Sequence, residues 1–124
     1  MDHEPQELDQ EMVDVAMSII MDAGDARAEI AGCFSAMASG DIERCDELLS
    51  KARLLLAKAH GRQTEIIQDE IDGARRQHSL LFIHAQDTLM AVNSEMNICR
   101  YALAICRNYE ARIDALEKRG LNER

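Results

Sequence analysis

The sequence predicts an all-α protein, an antiparallel up-down-up three-helix bundle in one domain covering residues 1–124. The chain has no Trp, two Phe, two Tyr and one Pro but many Ala, Leu, Met, Glu and Arg, a composition that favours helices. Apolar residues recur every three or four positions through three long segments. Only short glycine-containing breaks, at 39–41 and 69–73, separate these segments. Long helices joined by short turns favour the up-down-up topology.

The first helix is predicted over about residues 6–38 and carries one continuous apolar stripe. Gly24 interrupts the stripe but can be tolerated, and it can permit close approach of another helix. Beyond the helix, Gly40 can take the left-handed conformation that ends a helix, and Asp41 can cap the next one. The stripe consists of Leu8, Met12, Val15, Ile19, Ala23, Ala26, Ile30, Phe34 and Met37.

The second helix is predicted over about residues 42–69, with one apolar face and one charged face. Its charged face carries both acidic and basic residues, which is typical of a solvated surface. The segment becomes acidic and ends at Gly73, where we expect the second turn. The predicted buried residues are Cys45, Leu48, Leu49, Ala52, Leu55, Leu56, Ala59, Ile66 and Ile67.

The third helix is predicted over about residues 75–118 and shows two apolar lines. One line repeats every seven residues, as in a coiled coil. We expect one line to pack within the protomer and the other to mediate self-association. The first line is Val92, Cys99, Cys106 and Ile113, and the second is Phe82, Leu89, Met96 and Leu103.

The net charge is −9, from 23 acidic and 14 basic residues. Nucleic-acid affinity depends largely on neutralising phosphates with Lys and Arg, so this balance argues against a nucleic-acid-binding protein. An acidic surface suits a partner with a basic docking patch, or it serves solubility alone.

The cysteines and the N-terminus indicate a cytoplasmic protein. Cys33, Cys45, Cys99 and Cys106 do not have the spacing of a zinc site, and we interpret them as small buried residues in a reducing compartment. The acidic start lacks the basic and apolar regions of a signal peptide. No apolar run is long enough to span a membrane.

A polar strip lies within an apolar run of the third segment. His84, Asp87 and Thr88 are three or four positions apart and therefore share one side of a helix. A carboxylate buried there would need a partner or a metal. A structural role for the strip remains an alternative, in which His84 is a core histidine held by Asp87.

The string from His84 to Met90, His-Ala-Gln-Asp-Thr-Leu-Met, resembles the signature of the lactose/cellobiose-type enzyme IIA component of the bacterial sugar phosphotransferase system. Weaker similarities occur in the expected order at Gly24–Arg27, Ser39–Asp41 and from His60 to Thr64. Together they cover roughly residues 8–118. At Thr88 the chain departs from the pattern, because family members usually have a second histidine there.

The resemblance implies that His84 accepts a phosphoryl group from phospho-HPr and passes it to a IIB component. The sugar would be a β-linked disaccharide of the cellobiose, chitobiose or lactose class, carried across the membrane by a IIC component. His84 would be the catalytic nucleophile, phosphorylated on Nε2, with Thr88 in a supporting role. Gln86 does not share the face of His84, so it would support the site only across an interface, and a polar contact with another helix is an equal alternative. Thr88 can still donate one hydrogen bond to a phosphoryl oxygen, but it cannot carry positive charge.

The resemblance also implies a homotrimer, in which three copies of Asp87 meet on the axis and share a divalent cation, Mg²⁺. We assign no chemistry to His60 and expect it to serve packing. The alternative function is a non-catalytic helical adaptor or regulatory protein on the same bundle. Uptake of acid-labile phosphate separates the two hypotheses.

Overall fold

The computed structural model describes residues 10–73 and 79–123 of the chain. In these ranges it contains three helices and no strand: α1 (Gln10–Ala38), α2 (Glu43–Ile71) and α3 (Leu80–Asn122). The all-α prediction is confirmed. None of these helices is both long and apolar enough to cross a membrane.

The helix boundaries differ from the predicted ones mainly in α3. The predicted starts at residues 6 and 75 lie outside the described residues. Ser79 has extended backbone angles, and its side-chain oxygen accepts a hydrogen bond from the Phe82 N–H at 3.2 Å, so α3 begins at Leu80. The helix then continues through Gly120 to Asn122, four residues beyond its predicted end.

Gly40 ends α1 as predicted, with φ of +81°. The Asp41 N–H donates to the Ala36 carbonyl at 2.9 Å, and the Gly40 N–H donates to the Met37 carbonyl at 3.2 Å. The prediction that Asp41 caps α2 is wrong. Ile42, without a side-chain cap, occupies the N-cap position, because the backbone of Asp41 is still engaged in closing α1.

One apolar core lies between the helices, and it includes no polar or charged residue of the described part of the chain. α1 packs extensively on both α2 and α3, whereas α2 and α3 contact each other much less. Small residues of α1 such as Ala16, Ala23 and Ala26 are fully buried and let this helix approach both neighbours. Gly32, rather than Gly24, faces a neighbouring helix closely: a Cβ there would lie 3.4 Å from Leu48 Cδ1.

The two apolar lines of α3 lie on a single buried face. Phe82, Leu89, Met96 and Leu103 are buried together with Val92 and Cys99. The two lines are only three or four residues apart, so they form one stripe facing α1 and α2. The interpretation that one of these lines remains free for self-association is therefore wrong. Farther along, Cys106 is half-buried and Ile113 is exposed.

Three thiols, one from each helix, lie in the core. Cys33, Cys45 and Cys99 are buried and unbonded by disulfides, and Cys45 Sγ donates to the Cys33 carbonyl at 3.4 Å. Burial raises the pKa of Cys33 and that of Cys45 to about 11, and it also raises the pKa of Cys99. Folded thiols keep their protons above pH 9, where unfolded thiols lose theirs, so unfolding becomes more favourable as the pH rises from 9 to 11.

We expect Ellman's reagent to modify one thiol rapidly in the native protein. Cys106 is half-buried and reachable, whereas the other three cysteines are buried and react as thiolates only after the bundle opens. The absorbance of the released reagent anion at neutral pH should show one modified thiol per chain at once, and four modified thiols per chain in guanidinium chloride. A Cys106→Ser variant should lose the fast equivalent. Rapid reaction of three or four thiols without denaturant would contradict the buried placement.

Candidate functional site

The first turns of α3 fix the orientation of the candidate site. Phe82, Ala85 and Leu89 are buried against the bundle, so they hold this part of the helix in one rotation about its axis. Successive residues of an α-helix project about 100° apart. His84 and Asp87 therefore project away from the core, on the outer side of α3.

His84 is exposed, and no described residue hydrogen-bonds to its imidazole. Its backbone carbonyl accepts a hydrogen bond from the Thr88 hydroxyl at 2.8 Å. The imidazole is thus accessible from solution. An accessible imidazole can act as a nucleophile toward a group carried by another protein, without a small-molecule cavity.

Asp87 is also exposed, and it makes no hydrogen bond to His84. The two side chains project about 60° apart around the helix axis, so they share one side but remain separate within the chain. Asp87 lies almost opposite Leu89, which is fully buried. The cost of burying a carboxylate therefore does not arise in the single chain.

Asp87 belongs to a second line of residues on α3, which we call the outer stripe. Its members follow one another at spacings of three or four and lie on the side of the helix opposite the core. The apolar members are exposed, from 46% for Ile83 to 72% for Tyr101. The outer stripe consists of Ile83, Asp87, Met90, Ser94, Ile98, Tyr101 and Ile105.

The outer stripe was not predicted from the sequence, although its three- and four-residue spacing is present there. Asp87 and Ser94 interrupt its apolar members, and it runs beside the more regular lines that form the core. Tracing three- and four-residue steps in both directions from Asp87 would have found it.

The predicted supporting residues are arranged differently. Thr88 is half-buried, and its hydroxyl proton is used in the bond to the His84 carbonyl. That proton is therefore not directed at a group bound to the imidazole. Gln86 is half-buried and projects about 160° from His84, on the other side of the helix.

Near His60, a polar cluster joins α1 and α2. His60 is half-buried, and two residues later Arg62 donates to Ser18 Oγ and, at 2.6 Å, to Asp22 Oδ2. Sequence reasoning did not find this cluster, because isolated charges on two helices do not identify their partners. A salt bridge of the same kind links α1 to α3, where Arg27 Nε lies 2.9 Å from Glu95 Oε2.

Across residues 10–73 and 79–123, no group of three His, Cys, Asp or Glu side chains is placed to bind an ion. Asp87 offers one exposed carboxylate, which is a hard oxygen ligand of the type that Mg²⁺ prefers.

The sequence model of the lactose/cellobiose-specific IIA subunit of the PTS system matches residues 14–107. The chain belongs to this family. The match includes all of the candidate site, from His84 to Thr88. The family expected from the string His84 to Met90 is confirmed.

Relatives and solved structures agree with this assignment. The lichenan-specific phosphotransferase enzyme IIA component of Bacillus subtilis is 36% identical over 103 residues, which are 83% of this chain and 91% of the relative. The PTS cellobiose-specific enzyme IIA from Bacillus anthracis is 29% identical, with a TM-score of 0.76 over 81% of this chain and 92% of that one. The IIA(chitobiose)–HPr complex of Escherichia coli shares the fold, with 22% identity and a TM-score of 0.67 over 80% of this chain and 96% of that one.

Proposed function

We propose that this IIA subunit is the phosphohistidine carrier of a cytoplasmic sugar phosphotransferase relay. His84 receives the phosphoryl group from phospho-HPr and passes it to a IIB component. A IIC component then takes up a β-linked disaccharide of the cellobiose, chitobiose or lactose class. The observation that carries the proposal is the exposed, unbonded imidazole of His84 within the region that matches the family.

The transfer is an in-line displacement between two carriers. A neutral nitrogen of His84 attacks the phosphorus, the new N–P bond forms, and the bond to the donor breaks, leaving the donor with its electron pair. Such a reaction depends mainly on positioning and charge stabilisation. The resulting N–P bond remains reactive, so the phosphoryl group can move on to the next carrier.

The surroundings of His84 favour a protein as the phosphoryl donor. Leu80 is an exposed apolar residue one turn before His84 and is not a member of the outer stripe. A docked protein would cover it and exclude water from the transferring phosphoryl group. A related IIA has been solved in complex with HPr, which supports HPr as the donor here.

We further propose that three up-down-up protomers assemble through the outer stripe. This exposed line runs along α3 for about 33 Å, and it remains uncovered after the core has formed. An antiparallel hairpin of α1 and α2 is supported by the contact between Cys33 and Cys45 near their connection and by the Asp22–Arg62 pair farther away. Three stripes around an axis would bury their apolar members together.

In this trimer the three copies of Asp87 would face one another and could hold Mg²⁺. The fit rests on the placement of Asp87 within the outer stripe and on its oxygen donors. The cation would supply charge neutralisation on the axis. Asp87 would then be a positioning residue, because it does not contact His84 within the chain.

The test of the relay is transfer of labelled phosphate from phosphoenolpyruvate through enzyme I and HPr. We expect about one acid-labile phosphate per chain. Sedimentation of the same sample should give three times 13.9 kDa. A non-catalytic adaptor would take up no label, and that outcome would overturn the proposal whatever the oligomeric state.

Substitutions at Thr88 test which groups stabilise phosphorylated His84. Because its hydroxyl proton is bonded to the helix backbone, Thr88→Val should leave phosphorylation close to wild type. Thr88→His restores the usual family residue and adds a donor one turn from His84. A charge-assisted hydrogen bond contributes about 1.5–3 kcal/mol, so phospho-His84 should be favoured by about 10- to 100-fold if this bond forms. The phosphoryl-exchange equilibrium with HPr measures both effects, and a large loss in Thr88→Val would show that the hydroxyl acts directly.

A further inference from the structure

α3 continues well past the residues that the family model matches. The family match ends at residue 107, whereas α3 extends to Asn122. We call residues 108–122 the overhang. Every residue of the overhang is exposed, so α1 and α2 do not cover it, and its 15 residues extend for about 22 Å.

The overhang is amphipathic even though no described part of the chain covers it. Tyr109, Ile113 and Leu116 follow one another at spacings of four and three, and they are 56%, 53% and 65% exposed. They continue the run of exposed apolar residues that reaches Ile105 in the outer stripe. The guanidinium of Arg112 lies 5.7 Å from the centre of the Tyr109 ring, so it borders this face.

Charges of opposite sign flank the two sides of the apolar face. Glu110 and Glu117 follow directly after Tyr109 and Leu116, whereas Arg112 and Arg119 lie on the opposite flank. This is the arrangement of the e and g positions of a coiled coil. In a parallel assembly, Arg112 would meet Glu117 of the partner subunit, five residues further on. An antiparallel assembly would bring like charges together.

We propose that the overhang forms a parallel helical stem between copies of this chain. The inference rests on the proposed trimer, whose contact surface the overhang extends beyond Ile105. Self-association is favoured over a strongly charged partner because residues 108–122 contain three acidic and three basic residues, a net charge of zero, in a chain whose net charge is −9. Tyr109, Ile113 and Leu116 would then be buried between copies.

Disulfide trapping in the full-length protein tests the stem. In a parallel stem, residue 116 of one copy lies beside residue 116 of the next, within the short Cα distance that a disulfide requires. Leu116→Cys should therefore form covalent dimers when treated with diamide, a thiol oxidant. Ala111→Cys is the matched control, because position 111 projects about 140° from position 116. Both variants are made in a Cys106→Ser background to remove the half-buried native thiol.

We expect Leu116→Cys to cross-link at least about tenfold faster than Ala111→Cys, since assembled copies present the thiol at an effective concentration near the millimolar range. Equal rates would indicate random collision and would overturn the stem. A trimer that takes up phosphate but does not cross-link through position 116 would overturn the stem and leave the relay intact. A monomer that takes up phosphate would overturn both the trimer and the stem.

In a second measurement, Arg112→Glu should lower the thermal midpoint of the assembly, and adding Glu117→Arg should restore it.

Discussion

His84→Gln is expected to take up no phosphate from phosphoenolpyruvate, enzyme I and HPr. Glutamine lacks the nucleophilic ring nitrogen, and no other described residue is placed to take its role beside the outer stripe. The replaced side chain is exposed and unbonded, so the helix and the assembly should be retained. Labelling followed by acid treatment measures the loss, which should reach the background of the assay.

His60→Gln is the control for this prediction. His60 is half-buried on α2, and the relay does not use it, so the variant should accept phosphate as the wild type does. Circular dichroism and sedimentation should be unchanged in both variants. If His84→Gln still carries acid-labile phosphate, the nucleophile has been assigned to the wrong residue.

Much of the fold could be predicted because its signals are local. The three-to-four spacing identified the core positions Ile19, Ala52 and Leu89, all of which are buried. Gly40 was recognised because few other residues tolerate its positive φ. Asp41 was misjudged because its carboxylate could cap a helix beginning at the next residue, but the turn uses one more residue before α2 starts.

The rotation of a helix was harder to predict than its existence. Phe34 was placed in the core stripe of α1, yet it is 40% exposed, and the neighbouring Cys33 is buried instead. Adjacent side chains on a helix project about 100° apart. Choosing the larger Phe34 over its neighbour Cys33 therefore placed the predicted stripe about 100° away from the buried face. The two lines of α3 were assigned to two faces for a similar reason.

The His-Ala-Gln-Asp string predicted which residue is the candidate nucleophile, but it did not predict whether that residue is buried or exposed. The same four residues would suit a buried histidine held by a carboxylate or an exposed one awaiting a partner. The structure places His84 and Asp87 on the surface. That placement depends on Phe82, Ala85 and Leu89, which take the core positions of the same turns.

Asp87→Leu is expected to make the assembly more stable to heat when divalent cations are absent. In the proposed trimer, three carboxylates ~5 Å apart would repel one another by about 3 kcal/mol per pair at an effective dielectric near 20. Leucine removes this repulsion and joins the apolar members of the outer stripe, Ile83 and Met90. The thermal midpoint in EDTA should rise by at least about 5 °C.

Adding Mg²⁺ should raise the midpoint of the wild type but not that of Asp87→Leu, because only the wild type has carboxylates to neutralise. Glu65→Leu is the matched control: it removes one exposed acidic charge from α2, away from the outer stripe, and should leave both the midpoint and its response to Mg²⁺ unchanged.

Sedimentation velocity in EDTA separates the remaining possibilities. Dissociation of Asp87→Leu with the wild type still trimeric would mean that Asp87 itself stabilises the assembly, through a hydrogen bond or a retained cation. A wild type that is monomeric with and without Mg²⁺ would mean that the outer stripe serves a different partner.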